Sequence, residues 1–288
     1  MTTTPHCILT IRCRDAVGIV AAVASALASS EAFITESSHF GDEGTGLFFM
    51  RTVFRPTGTR FVTLEDFRVA LAPVVQRFEM QLQLFDAMRR MKVMLAVSKH
   101  GHCLNHLLHR WHSGELPIEV VGVVSNHDEM RRLVDWYGLP YHHLPAGDKP
   151  AQEARLLEHF SEAGAELLVL ARYMQVLSDT LCQRLEGRCI NIHHSFLPSF
   201  KGARPYHQAH ERGVKVVGAT AHYVTADLDE GPLIEQDTVR VDHTLDADAF
   251  VRLGKDVENV VLARAVHWHA EHRVLLNGRR TVVFRHGA

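Results

Sequence analysis

The chain has 288 residues, of which 46% are hydrophobic and 22% charged, and its formal net charge is −2. That length predicts two domains with sizeable apolar cores, and the near-neutral charge gives no electrostatic case for binding nucleic acid or an anionic membrane. The five cysteines (Cys7, Cys13, Cys103, Cys182 and Cys189) are scattered without a Cys-x-x-Cys pair, no signal peptide is visible at the start, and no apolar run is long enough for a bilayer. Together these predict a cytoplasmic protein with free thiols.

From the start, Cys7–Arg14 alternates apolar and polar residues and reads as a half-buried strand, and Ile19, Val20, Val23, Ala24 and Leu27 recur at helical spacing. Phe33–Phe40 and Leu47–Phe54 read as a hairpin about the glycine-rich turn Gly41–Gly46. Thr63-x-x-Asp66 has the form of a capping box opening a helix toward Phe78, in which Pro73 is expected to make a kink or break. Met80–Phe85 closes the set as a fourth strand. The order βαββαβ is that of a ferredoxin-like unit, assigned to residues 1–86.

Residues 87–288 form the second expected domain. Lys92–Val97, Ile118–Ser125, Leu139–His142 and Glu166–Leu170 read as strands, separated by helical stretches at Cys103–Trp111, Glu129–Tyr137 and Gln152–Glu162. That alternation predicts an α/β fold with a doubly wound, mostly parallel sheet, whose ligand site lies beyond the carboxyl ends of the strands. The first strand runs into Ser98-Lys99-His100-Gly101-His102-Cys103, which holds one glycine and neither a Gly-x-Gly-x-x-Gly nor a Walker pattern, so a nucleotide site is not expected. His100 and His102 are expected on a solvated or partner-facing loop. The 21 histidines show no His-Glu-x-x-His or similar metal spacing, so no metal is expected. A long helix from Asp246 through Val266, with Gly254 as its weak point, and a closing hairpin about Asn277-Gly278 are assigned to packing.

The chemistry concentrates between Asn191 and Asp229. Arg188–Ile192 reads as a strand, and residues two apart on a strand share a face, so Asn191 and His193 can converge. Asp229 follows the strand Val216–Val224 in the turn Leu-Asp-Glu-Gly-Pro, where an aspartate is ordinarily a turn former. Arg172 to Leu177 begins where a ligand loop would begin, although Met174 and Leu177 suit a core equally well.

Asn191-x-His193-x-Ser195-x-Leu197-Pro198, with Asp229 in its Gly-Pro turn, resembles the formyltetrahydrofolate-dependent formyltransferase and hydrolase fold. Glycinamide ribonucleotide formyltransferases usually show a proline at the place of His194, a Gly-Ser-rich loop at the place of Ser98–Gly101 and an arginine at the place of Gln175. These departures, with Gly202-Ala203-Arg204-Pro205-Tyr206-His207, look like the formyltetrahydrofolate deformylase sub-family. The N-terminal order, with Asp15-x-x-Gly18-Ile19-Val20 at its first turn, resembles an ACT domain. The alternative is that Gly18 merely permits tight packing of strand on helix.

The resemblance implies hydrolysis of 10-formyltetrahydrofolate to formate and tetrahydrofolate, with formate supplied to purine synthesis. The folate is the substrate, and no cofactor is implied. Asn191, His193 and Asp229 would be catalytic, and Arg172, Met174, Leu177, Val224 and Leu228 would form the pterin pocket. Asp15 and Gly18 would mark the site of an amino-acid effector such as glycine or methionine, in a homo-oligomer. Formyl transfer to an amine acceptor and a catalytically dead folate or amino-acid sensor are the competing readings.

Overall fold

The protein is described from a computed structural model covering residues 6–197 and 205–285. The expected Pro198 turn and Lys201 to Arg204 of the Gly-Ala-Arg-Pro motif lie outside the described residues. The chain divides into two compact units.

The first unit contains the described residues up to Arg90, with Glu271–Leu275 and those from Val282 on. It runs β1 (Cys7–Arg14), α1 (Ile19–Ser29), β2 (Ala32–Asp42), β3 (Leu47–Pro56), α2 (Leu64–Arg77) and β4 (Gln81–Asp86). The sheet order is β2-β3-β1-β4 with every neighbouring pair antiparallel, the ferredoxin-like arrangement expected from βαββαβ. Alternation along β1 and β3 sends Leu9, Ile11, Met50 and Phe54 to one face, where they pack with Leu27 and Phe67 from the helices. Thr63 and Asp66 form the reciprocal capping box that starts α2. Pro73 does not divide α2, which is continuous to Arg77. Pro73 is exposed, so the carbonyl it leaves without an N–H faces water.

Gly18 has φ +95°, and a Cβ there would touch nothing, so backbone conformation rather than tight packing requires the glycine. Residues 271–275 and 282–285 join this unit instead of the domain assigned to 87–288. The reason is Arg273: its buried guanidinium must be paired, and it meets Glu36 at 2.8 Å and Glu271 at 2.5 Å.

The second unit runs β5 (Met91–Val97), α3 (His102–His112), β6 (Ile118–Ser125), α4 (Arg131–Trp136), β7 (Tyr141–His143), α5 (Lys149–Glu162) and β8 (Leu167–Leu170). It continues through α6 (Asp179–Arg184), β9 (Cys189–His193), α7 (Pro205–Glu211), β10 (Val216–Tyr223), β11 (Leu233–Arg240) and α8 (Ala247–Ala270). A hairpin of β12 (Val274–Asn277) and β13 (Arg280–Val283) follows, with its ends in the first unit and its tip in the second.

The sheet order is β11-β10-β9-β8-β5-β6-β7. The five strands from β9 to β7 are parallel, and β10 and β11 are antiparallel. The chain winds from β5 to β7 in one direction and then resumes at β8 on the other side of β5, which makes the β5/β8 boundary the switch point. β5 and β8 are nearly continuous apolar runs, as strands covered on both faces must be. Among the described residues no helix is long and apolar enough to cross a membrane, and all five cysteines are free and buried.

Gly254, a weak point in the sequence reading, has a packing role in α8. A Cβ there would overlap the Tyr206 ring, so the missing side chain lets that ring lie against the helix backbone. Gly254→Ala is therefore expected to destabilise the protein by about 1–3 kcal/mol through overpacking, although alanine is the better helix former by about 1 kcal/mol. Urea unfolding of the two proteins measures the difference. A variant as stable as the parent or more so contradicts the packing role.

Candidate active site

The last residues of β9 are Asn191, Ile192 and His193. Asn191 and His193 share a face of the strand, as their spacing predicts. On β10 the cross-strand partners of these two are His222 and Thr220, which therefore point to the same side. Thr220 is fully buried and fixes the chain beyond β9: its hydroxyl donates to Ser195 O at 3.0 Å and accepts from Leu197 N at 3.1 Å.

After β10 the chain turns through Val224 to Pro232 and enters β11. This loop closes only because position 231 is glycine, since a Cβ there would collide with the Tyr223 carbonyl. Tyr223 N donates to Pro232 O at 2.9 Å and shuts the base of the loop. Asp229 sits in the turn at φ +57°, a left-handed conformation that aspartate adopts more readily than most residues other than glycine. Its carboxylate is thereby brought between two imidazoles: Oδ2 is 3.2 Å from His193 Nδ1, and Oδ1 is 3.6 Å from His222 Nε2. Burial pushes the Asp229 carboxyl up, but hydrogen bonds from His193 and His222, with their charges, outweigh it and hold the group well below the usual carboxylate range.

Nδ1–H of His193 donates to Asp229, which leaves Nε2 as the acceptor nitrogen of the neutral ring. His193 lines the cleft, and its Nε2 has no hydrogen-bond partner among the described residues. His222 Nδ1 lies 2.9 Å from Tyr223 O, so it carries a proton. His222 Nε2 is 3.2 Å from Asn191 Nδ2. When the ring is neutral Nε2 accepts from Asn191 and fixes which way the amide faces; when it is protonated Nε2 donates to Asp229.

A cleft of about 240 Å³ opens beside these groups. It brings together all eight residues expected in the catalytic set and pterin pocket: Asn191, His193, Asp229, Arg172, Met174, Leu177, Val224 and Leu228. Met174 and Leu228 are more than half exposed, as is the neighbouring Val176, so an apolar rim stands open to solvent. Leu177 serves both readings, since it lines the cleft and belongs to the core cluster under it. The loop after β8 is tied to the end of β5 at the switch point. Ser98 N donates to Arg172 O at 3.1 Å, and Ser98 Oγ accepts from Met174 N at 2.9 Å. Arg172, like Asp229, has a positive φ, +65°. The remaining expected site pair, Asp15 and Gly18, lies in the first unit at the β1-to-α1 turn, with Asp15 N donating to Gly46 O.

Two residues of this region have no role in the sequence reading. His222 lies one residue before the end of β10, inside the Asn191–Asp229 stretch but with no role assigned to it there; its one signal is that it precedes the Asp229 turn by a short loop. Glu258 lies in α8, a helix whose sequence pattern reads as packing alone, yet this carboxylate is 1% exposed and accepts from Tyr206 Oη and His102 Nε2, each at 2.8 Å. His102 is thus tied inward rather than set on a solvated loop, while His100 is exposed as expected. His102, Cys103 and Glu258 come close enough to suggest a metal-ligand cluster. However, Arg172 Nε stands 3.5 Å from Glu258, and burial pushes the Cys103 thiol well up, so the group has the chemistry of an ion-pair network. His194, beside His193, is held neutral: burial and then the Arg172 charge lower its pKa to about 3.

A family model described as formyl transferase matches residues 91–266. The chain is 52% identical over 280 residues to a formyltetrahydrofolate deformylase of Corynebacterium sp. (strain P-1), covering 96% of this chain and 98% of that protein. A crystal structure of a formyltetrahydrofolate deformylase from Pseudomonas syringae pv. tomato str. DC3000 matches with a TM-score of 0.95 at 47% identity, covering 99% of this chain and 96% of that one. Glycinamide ribonucleotide transformylase 1 from Symbiobacterium toebii matches with a TM-score of 0.64 at 30% identity, over 70% of this chain and 98% of that one.

Proposed function

The chain belongs to the formyl transferase family, and from that premise we propose that it hydrolyses 10-formyltetrahydrofolate to formate and tetrahydrofolate, supplying formate for purine synthesis. The observation that carries this reading is the convergence of Asn191, His193 and Asp229 on one cleft with an exposed apolar rim. The near end-to-end similarity to deformylases supports hydrolysis over transfer, since the transformylase likeness covers only 70% of this chain.

The bond to be broken joins the formyl carbon to N10, an arylamine nitrogen. Water adds to the carbon, and the carbonyl oxygen becomes an oxyanion. Asn191 Nδ2 supplies a hydrogen bond to that oxygen. His193 Nε2 takes the proton from the attacking water. Asp229 is engaged with the other ring nitrogen, its Oδ2 3.2 Å from Nδ1, and is not assigned that step. Its part is to hold the His193 tautomer and to stabilise the imidazolium that forms, as the carboxylate does in other acid–base pairs. The imidazolium then returns the proton to N10 as the C–N bond breaks, leaving formic acid and the free amine. Arg172, Met174, Leu177, Val224 and Leu228 bind the pterin by a flat apolar contact with a few polar groups at its edge. No step needs a cofactor.

The first unit is proposed to be an ACT-like regulatory domain that binds an amino acid such as glycine or methionine beside Asp15 and Gly18, in a cytoplasmic homo-oligomer. Its ferredoxin-like order and the glycine-dependent first turn support this reading. Calorimetric titration with the two amino acids is expected to give saturable heat, and its absence for both rejects them as effectors.

Purified protein given 10-formyltetrahydrofolate is expected to release formate with no amine present. Turnover only on addition of glycinamide ribonucleotide would make it a transferase. Asn191→Ala is expected to lower kcat about 10²–10³-fold, and His193→Ala and Asp229→Ala about 10²–10⁴-fold each, all with substrate still bound. Near-parental turnover by any one variant removes that residue from the mechanism.

A further inference from the structure

Glu258 is a carboxylate in the interior of the second unit, gathered by side chains from three other elements: His102 of α3, Tyr206 of α7 and Arg172 of the loop after β8. The mechanism above does not use it. An interior charge persists only where it is paired. Two of its partners, His102 and Tyr206, make hydrogen bonds. The third, Arg172, carries the compensating charge: its Nε is 3.5 Å from Oε2 and has no hydrogen-bond partner among the described residues. Burial pushes the Glu258 carboxyl up, but His102 and Arg172 outweigh it and hold it below its ordinary range.

Arg172 is a wall residue of the cleft, and it is restrained twice. Its backbone, at φ +65°, is anchored through its carbonyl by Ser98, and its side chain is drawn toward Glu258. A guanidinium on a long flexible stem normally loses much rotamer freedom when it binds a ligand. One already held by a buried carboxylate loses little. We propose that Glu258 is a positioning residue for substrate binding, which acts by holding the Arg172 guanidinium at the cleft wall with donors set to meet acceptor atoms of the bound folate. This rests on the hydrolase reading above for the identity of the ligand.

The test is a double-mutant cycle in the full-length protein with Glu258→Gln, Arg172→Ala and the pair combined, plus Tyr206→Phe as a control that removes one neutral hydrogen bond. Glu258→Gln keeps the shape and loses the charge. Its KM for 10-formyltetrahydrofolate is expected to rise about tenfold, the effect of one charge-assisted hydrogen bond, with kcat within about twofold. In the Arg172→Ala background the same change is expected to leave KM where it was, and Tyr206→Phe is expected to keep the parental KM. A parental KM for Glu258→Gln overturns the proposal, as does a rise of equal size in both backgrounds, because Glu258 would then act other than through Arg172. Should Glu258→Gln not fold, Glu258→Asp, which withdraws the charge by one methylene, runs through the same cycle with the same criteria. Binding of tetrahydrofolate by calorimetry is expected to follow the same pattern and reads this inference even with an inactive parent. Absence of formate release by the parent refutes the hydrolase reading, whereas an active parent whose binding ignores Glu258 refutes this one alone.

Discussion

One carboxylate between two imidazoles sets the conditions for everything else in the catalytic unit. Asp229 orients His193 through Nδ1 and faces His222 from its other oxygen. His222 in turn meets the amide of Asn191. The consequence is a chain of polar groups in which each fixes the next, ending in His193 Nε2, a buried nitrogen of a cleft-lining residue with no hydrogen-bond partner among the described residues. A catalytic amide and a catalytic histidine are useful only when their hydrogen-bonding directions are set in advance, since reorientation during the reaction would cost barrier height.

The fold supplies this arrangement by joining a parallel sheet to an antiparallel edge. Parallel β9 delivers Asn191 and His193 at its carboxyl end, as a doubly wound sheet does for its ligand residues. Antiparallel β10 then places His222 directly across from Asn191. The loop that follows must fold back over the same face, and this requires Gly231 against Tyr223 and a left-handed Asp229. Strain accepted at Asp229 and at Arg172 thus sits in the two loops that line the cleft, where rigid strands on either side can hold it. The same logic extends to α8, which gives up a side chain at Gly254 so that Tyr206 can reach Glu258.

Much of this was legible in the sequence because it depends on periodicity and on turn chemistry. The βαββαβ order follows from strand alternation and helical spacing, the buried parallel strands from continuous apolar runs, and the placing of Asn191 with His193 on one face from the two-residue period of a strand. The βα loops were placed by the ends of those strands, which is why Arg172 to Leu177 could be expected at the cleft. The family resemblance singled out Asp229, which spacing alone would have left as a turn former. What was not legible depended on contacts distant along the chain. β11 carries polar residues on an edge and lacks a clear alternation, and α6 and α7 are too short for a helical period to emerge. His222 meets Asn191 only through its register across from it on β10. Glu258 stands on an ordinary amphipathic helix, and only the approach of α3, α7 and the β8 loop turns it from a surface-like residue into a buried charge. Pro73 shows the converse: a strong local signal lost its force because its position faces water.

The proposed chemistry requires the formyl group to dock where Asn191 Nδ2 and His193 Nε2 can both reach it. The most direct measurement is a crystal structure of the protein with a non-hydrolysable 10-formyl folate analogue bound. The pterin is expected against Met174, Leu177 and Leu228, the formyl oxygen within about 2.7–3.1 Å of Asn191 Nδ2, and His193 Nε2 facing a water beside the formyl carbon. A formyl group bound away from these two residues, with the pterin elsewhere in the cleft, would contradict it.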